Sequence, residues 1–125
     1  MNAKHSDLAR IQEIWDVATQ TKEQIRRLDF TQERFMQPAN DTDDLIAEGL
    51  MNRILRIAEE AGKINEHVAE QYGFERRAAN GVRNRLAHAY GDVDRSIIWQ
   101  VIKEDLDPLL DACRNFAEDL GVELK

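Results

Sequence analysis

Apolar residues recur three and four positions apart along almost the whole chain, and no run shows the sustained alternation of a half-buried strand. That regularity restricts the fold to an all-α architecture. The first helix is expected from about Ser6 to Leu28, with Leu8, Ile11, Trp15, Ala18, Ile25 and Leu28 as its apolar stripe and Ser6 as its N-cap. The segment Asp29–Asn40 contains Pro38 and lacks a clear period, so it reads as a connection with room for one short turn of helix. Asp41 or Thr42 then caps a long second helix with Asp43 and Asp44 in its first turn, where negative charge suits the helix dipole. Leu45, Leu50, Ile54, Ile57, Ala58, Ala61, Ile64 and Val68 supply its apolar face, and Tyr72-Gly73 closes it. A third helix is expected from about Phe74 to Tyr90, ending at Gly91-Asp92. A fourth begins near Asp94, with Ile97, Ile98, Val101, Ile102, Leu106 and Leu109 facing inward. Pro108 must kink that helix or split it, because it lacks a backbone donor and clashes with the preceding turn. Four helices with short connections predict an antiparallel four-helix bundle.

A chain of 125 residues, 42% of them hydrophobic, is the size of one domain with one core, spanning 1–125. No apolar stretch approaches the roughly 20 residues that cross a bilayer. The start, Met1-Asn2-Ala3-Lys4-His5, lacks the apolar block of a secretory signal, so the expectation is a cytoplasmic protein without a membrane partner. Cys113 is the only cysteine, which excludes an internal disulfide and leaves no Cys/His cluster for structural zinc. Its neighbours Leu109, Leu110 and Phe116 mark it as a small buried apolar residue. No metal or other cofactor is expected.

The net charge of −7 argues against a protein that coats nucleic acid by bulk electrostatics. The charge is nevertheless uneven. Between Arg76 and Tyr90 stand Arg76, Arg77, Arg83 and Arg85 with no carboxylate, a local positive patch on an acidic body. Such a patch fits a small nucleic-acid site beside a protein-binding surface. Within it, Arg83-Asn84-Arg85-Leu86-Ala87-His88-Ala89-Tyr90 brings a fixed cation, a group that titrates near neutrality and a phenol into two helical turns. Arg83 can clamp a phosphate through two parallel hydrogen bonds and stabilise charge on its oxygens. His88 can accept or donate a proton at neutral pH. RNA carries its own nucleophile in the 2′-hydroxyl, so an anion clamp and an acid–base group suffice. The products would be a 2′,3′-cyclic phosphate and a 5′-hydroxyl.

Geometry constrains this reading, because residues five apart on a regular helix point about 140° away from each other. Arg83 and His88 therefore face apart, whereas Asn84 and His88 share a face, as do Arg83 and Tyr90. A working site requires either distortion of the helix near Gly91 or two copies of the cassette meeting across a dimer interface. Structural readings stand beside the chemical one, and on spacing alone they weigh more. The arginines can pair with the acidic surface, His88 suits a helix C-terminus, and Tyr90 can pack against the bundle. Trp15 and Trp99 read as core or interface aromatics, His5 and His67 as polar surface, and Glu59-Glu60 with Lys63 as a solvated face holding an ion pair.

The ordered set Arg83-Asn84-x-x-x-His88-x-Tyr90 resembles the Arg-x4-His-x-Tyr motif of the HEPN superfamily, specifically the HepT-like toxins paired with minimal nucleotidyltransferase antitoxins. Ile57-Ala58-Glu59-Glu60-Ala61-Gly62-Lys63 is similar to that family's Ile-Ile-Gly-Glu-Ala segment, with Glu59 where glycine is common. Val93-Asp94, Trp99 and Asp105-Leu106-Asp107-Pro108-x-Leu110 are similar to its downstream pattern, with one extra residue before the proline. The resemblance runs from Leu8 to Leu110. It implies a homodimer of helical bundles whose paired motifs form a metal-independent endoribonuclease site, in a type VII-like toxin–antitoxin pair. It further implies that Arg83 and His88 are catalytic, that Asn84 positions the phosphate or the histidine, and that Arg76, Arg77 and Arg85 are candidates to bind RNA. Tyr90 would be the phenol to which the cognate nucleotidyltransferase antitoxin attaches AMP. The alternatives are a non-catalytic helical module that binds a nucleotidyltransferase and presents nucleotide or RNA to it, and a purely structural dimerisation bundle.

Overall fold

Two long helices frame the molecule. The computed structural model describes residues 3–88 and 93–124, with side chains from Ser6 onward, and contains no strand among them. Helix α1 (Ala3–Arg27) packs along α3 (Asp41–Ala61). The two run antiparallel: Arg10 meets Glu60 at 3.2 Å, Glu13 meets Arg56 at 2.6 Å, and Thr21 and Gln24 both accept from Arg53. The buried face of α1 is Ile11, Ile14, Val17 and Ala18, while the expected stripe member Leu28 lies beyond the helix and is exposed. Ser6 sits inside α1 and so is not its cap.

The connection contains α2 (Gln32–Met36), a single short helix capped by the Thr31 hydroxyl, which accepts from the Arg34 amide. Phe35 plugs it into the core. Arg34 then reaches Asp43 at the start of α3, its Nε and Nη2 donating to one carboxylate oxygen at 3.0 and 2.8 Å. These hydrogen bonds hold the Asp43 carboxyl below its ordinary range. The cap of α3 is Asn40, whose side chain accepts from the Asp43 amide at 2.8 Å, rather than the expected Asp41 or Thr42. Leu45 does not join the apolar face: it is 70% exposed, and Ala47, Leu50, Met51 and Ile54 form the buried arc.

The expected long second helix divides. α3 stops at Ala61, and α4 (Glu66–Tyr72) begins after Asn65, whose side chain accepts from the amides of His67 and Val68. The Asp7 carboxylate, from α1, accepts from the Asn65 amide at 2.9 Å and holds the break in place. Gly73, at φ +86°, closes α4 as expected. Gly62 sits close to the next helix, where a Cβ would meet the Asn80 side chain and push it aside.

That helix, α5 (Arg76–His88), packs against α3, yet only Leu86 among its 13 residues is fully buried. The expected termination at Gly91-Asp92 lies outside the described residues. Asp94 caps α6 (Arg95–Gln100) by accepting from the Ser96 amide at 2.9 Å and its hydroxyl at 2.6 Å, which lowers the Asp94 carboxyl. The last helix then widens into one π-helical turn, Val101–Asp105, and resumes as α7 (Leu106–Leu120). A π turn holds one residue more than an α turn. It accommodates the proline's inability to donate to the carbonyl four positions back. α7 lies antiparallel to α1, with Asp107 paired to Lys22 at one end and Cys113 against the Ile11 carbonyl at the other, where Arg114 also covers the Trp15 ring. Cys113 is fully buried, and burial pushes its thiol up to about 12. No described helix is long and apolar enough to cross a membrane.

Candidate active site

α5 is a cationic helix on an acidic protein. Elsewhere, every described arginine except Arg53 forms an ion pair: Arg10, Arg26, Arg27, Arg34, Arg56, Arg95 and Arg114. On the Glu59-Glu60-Lys63 face, the ion pair is the one between Glu60 and Arg10. On α5 the pattern inverts. Arg77, Arg83 and Arg85 are exposed and form no ion pair with a described carboxylate, and the Nε of half-buried Arg76 donates to the Gly62 carbonyl at 3.4 Å. Arg76 is thereby tied to the end of α3 and is the least available of the four for a ligand.

Arg83, Asn84 and His88 all present exposed side chains. Arg83 Nη1 donates to Asn84 Oδ1 at 3.2 Å, so the structure brings these two together and the amide steadies the guanidinium. No hydrogen bond among the described residues joins His88 to either. The helix stays α-helical through His88, which keeps Arg83 and His88 about 140° apart around its axis. Distortion of α5 up to that point is therefore not what unites them. Tyr90 lies outside the described residues.

Arg95, the first residue of α6, donates to the Phe35 carbonyl at 2.8 Å, lies 5.7 Å from the centre of the Phe35 ring and stands 3.9 Å from Asp44. Trp99 leans on the same ring, 5.3 Å between centroids. Arg95 was not singled out in the sequence, and only its place next to a capping aspartate marks it there.

Between α5 and the π turn the bundle opens. An apolar groove of about 220 Å³ is lined by Ala58, Ala61, Val82, Val101 and Leu109, and a shallower one of about 390 Å³ continues past Arg77 and Arg85 towards Gln100. Asp105 borders both. Partial burial, with Glu104 and Glu75 nearby, raises its carboxyl above the ordinary value. Among the described residues no cluster of three or more His, Cys, Asp or Glu side chains could hold a metal ion.

The profile of one protein family, Ribonuclease HepT-like, matches residues 18–116, from the middle of α1 to the last turns of α7 and across the whole of α5. The chain belongs to the HepT-like ribonuclease family. For a HepT-like protein the exposed arginines of α5, which pair with no described carboxylate, are where a polyanion can be met without first breaking an ion pair among the described residues. The family match accords with the all-helical fold, and its span includes residues 83–90. No solved structure matches the chain.

Proposed function

We propose that this HepT-like protein is the toxin of a toxin–antitoxin pair, a metal-independent endoribonuclease that works as a cytoplasmic homodimer. The observation that carries the reading is the set of exposed α5 cations that form no ion pair among the described residues, within the span that matches a ribonuclease family. Because Arg83 and His88 face apart on one regular helix, two copies of α5 facing each other across a cleft supply what one copy does not: Arg83 of one opposite His88 of the other. Residues 1–125 act together as one domain in this reading.

The scissile phosphate sits against Arg83, held there by two guanidinium N–H donors with Asn84 fixing the side chain. Neutral His88 takes the proton from the ribose 2′-hydroxyl as its oxygen attacks phosphorus. The bond to the 5′-oxygen breaks, and that oxygen receives a proton from the second copy's protonated His88 or from water. Arg83 stabilises the extra charge on the non-bridging oxygens. A 2′,3′-cyclic phosphate and a 5′-hydroxyl result. AMP transferred to the Tyr90 phenol by a cognate minimal nucleotidyltransferase would add a phosphate beside the arginines and shut RNA out.

The test is cleavage of labelled RNA by unmodified protein in excess EDTA, beside Arg83→Ala and His88→Ala. Expected are cyclic-phosphate ends from the parent and none from either variant, with the dimer retained by both. Activity persisting in both variants overturns the site. No cleavage by a parent shown by mass spectrometry to carry no AMP favours instead a module that binds the nucleotidyltransferase.

A further inference from the structure

Arg77, Gly81 and Arg85 stand four apart and form one row along α5, on the side bordering the 390 Å³ groove. Gly81 is the informative member. A glycine in a helix interior is destabilising relative to alanine, and here a Cβ would meet nothing within 4 Å, so no neighbour within the chain requires it. The space it leaves opens on the groove, one helical turn from Arg77 and one from Arg85.

The remaining walls are chemically mixed. Val82, Ile97 and Val101 make an apolar floor. Opposite the arginines, the Gln100 amide nitrogen is engaged by Glu104 at 3.1 Å, which leaves its carbonyl oxygen as an acceptor, and the Asp105 carboxylate has no hydrogen-bond donor among the described residues. An occupant must then be anionic at one end, flat and apolar through its middle, and rich in donors at the other. A basic peptide is repelled by Arg77 and Arg85, and a bare phosphate by Asp105. A nucleotide meets all three demands. Among the bases guanine meets them best, because its N1–H and N2–H donors lie side by side on one edge, matching a carboxylate, whereas uracil offers one donor between two carbonyls.

We propose that the groove between α5 and the π turn binds a guanine nucleotide, with Arg77 and Arg85 on the phosphates, Gly81 admitting the sugar and base, and Asp105 and Gln100 reading the base edge. Within the ribonuclease reading, on which this rests, the pocket sets where an RNA is cut by seating a guanine at a fixed distance from the scissile phosphate. A free guanine nucleotide presents the same chemistry.

The experiment uses full-length protein and short fluorescent single strands carrying one guanosine, with every 2′-hydroxyl replaced by hydrogen so that binding is read without cleavage. Expected is a loss of affinity on the order of tenfold when inosine, which lacks the N2 amine, replaces guanosine. In Asp105→Asn the two strands should bind alike, and in Gly81→Leu, which fills the mouth while favouring the helix, guanosine should lose its advantage. GMP displacing the guanosine strand, in an Asp105-dependent way, would identify the free nucleotide as an occupant of the same pocket. Equal affinity of the parent for guanosine and inosine strands, or an unchanged preference in both variants, overturns the proposal. The ribonuclease reading is judged separately, on ribose-containing RNA in EDTA, and survives that outcome if cleavage there still needs His88.

Discussion

Replacing Leu86 by alanine probes how the cationic helix is held. Leu86 is 1% exposed and is the only fully buried residue of α5. The substitution deletes three carbons, and at roughly 0.8 kcal/mol for each buried methylene-sized group the transfer part is about 2.4 kcal/mol. The residual cavity adds to this, and comparable Leu→Ala changes cost about 2.7–5 kcal/mol. The groove beside α5 lets the helix settle and water approach, which places the expected loss near the low end, about 3 kcal/mol. Urea unfolding followed by far-ultraviolet circular dichroism measures it. With a slope of roughly 2 kcal/mol per molar urea for a chain of this size, the midpoint should fall by about 1.5 M at unchanged slope. A loss below about 1 kcal/mol would refute the idea that Leu86 anchors α5. An early separate transition with a reduced main slope would refute the further assumption that α5 unfolds together with the core.

Three other outcomes follow from the same structure. The Asp43 carboxyl is depressed by its hydrogen bonds from Arg34, so the stability it contributes is present above the unfolded carboxylate value and is lost as pH falls through the lower folded one. Thermal melts between pH 5 and pH 2 should show Arg34→Ala and the parent converging at the acid end, and a constant gap would contradict the assignment. Cys113, buried with its thiol raised to about 12, should resist an aromatic disulfide reagent at pH 8 in native protein and react within minutes in strong denaturant. Rapid native labelling would place the thiol at the surface. Gly73→Ala should cost about 1 kcal/mol in the same urea assay, because φ is +86° at the end of α4, and an unchanged midpoint would mean that the cap is not strained by a side chain.

What was legible in the sequence was the helical period, and with it α1, α3, the Gly73 stop, the Asp94 start and the disturbance at Pro108. The break at Gly62–Asn65 was not, because Ala61, Ile64 and Val68 continue an apolar stripe straight through it. What interrupts the helix is a tertiary contact, the Asp7 carboxylate on the Asn65 amide, from 58 residues away. Leu45 was misread for a simpler reason: it stands five residues before Leu50, so the 140° argument that separates Arg83 from His88 also turns Leu45 away from the core. The cassette itself was read residue by residue from its chemistry and its resemblance to HepT-like proteins. The lack of ion pairs on Arg77, Arg83 and Arg85 could not be read, since spacing says nothing of which acids a helix face will meet. Gln100 and Asp105 were unread for the same reason, as their shared groove exists only where the π turn and α5 stand apart.

Leu86 is the single fully buried side chain of α5, with Ala79 and Val82 half-buried against the core, and the exposed positions of the helix are almost unconstrained by packing. Substitutions at exposed sites of this kind usually change stability by less than about 0.5 kcal/mol. Exposed positions of α5 outside Arg83, Asn84 and His88 can therefore change what this helix touches without endangering the scaffold beneath it. The outer surface of α5 is thus free to vary between related chains while α1, α3 and α7, which carry the core, stay fixed.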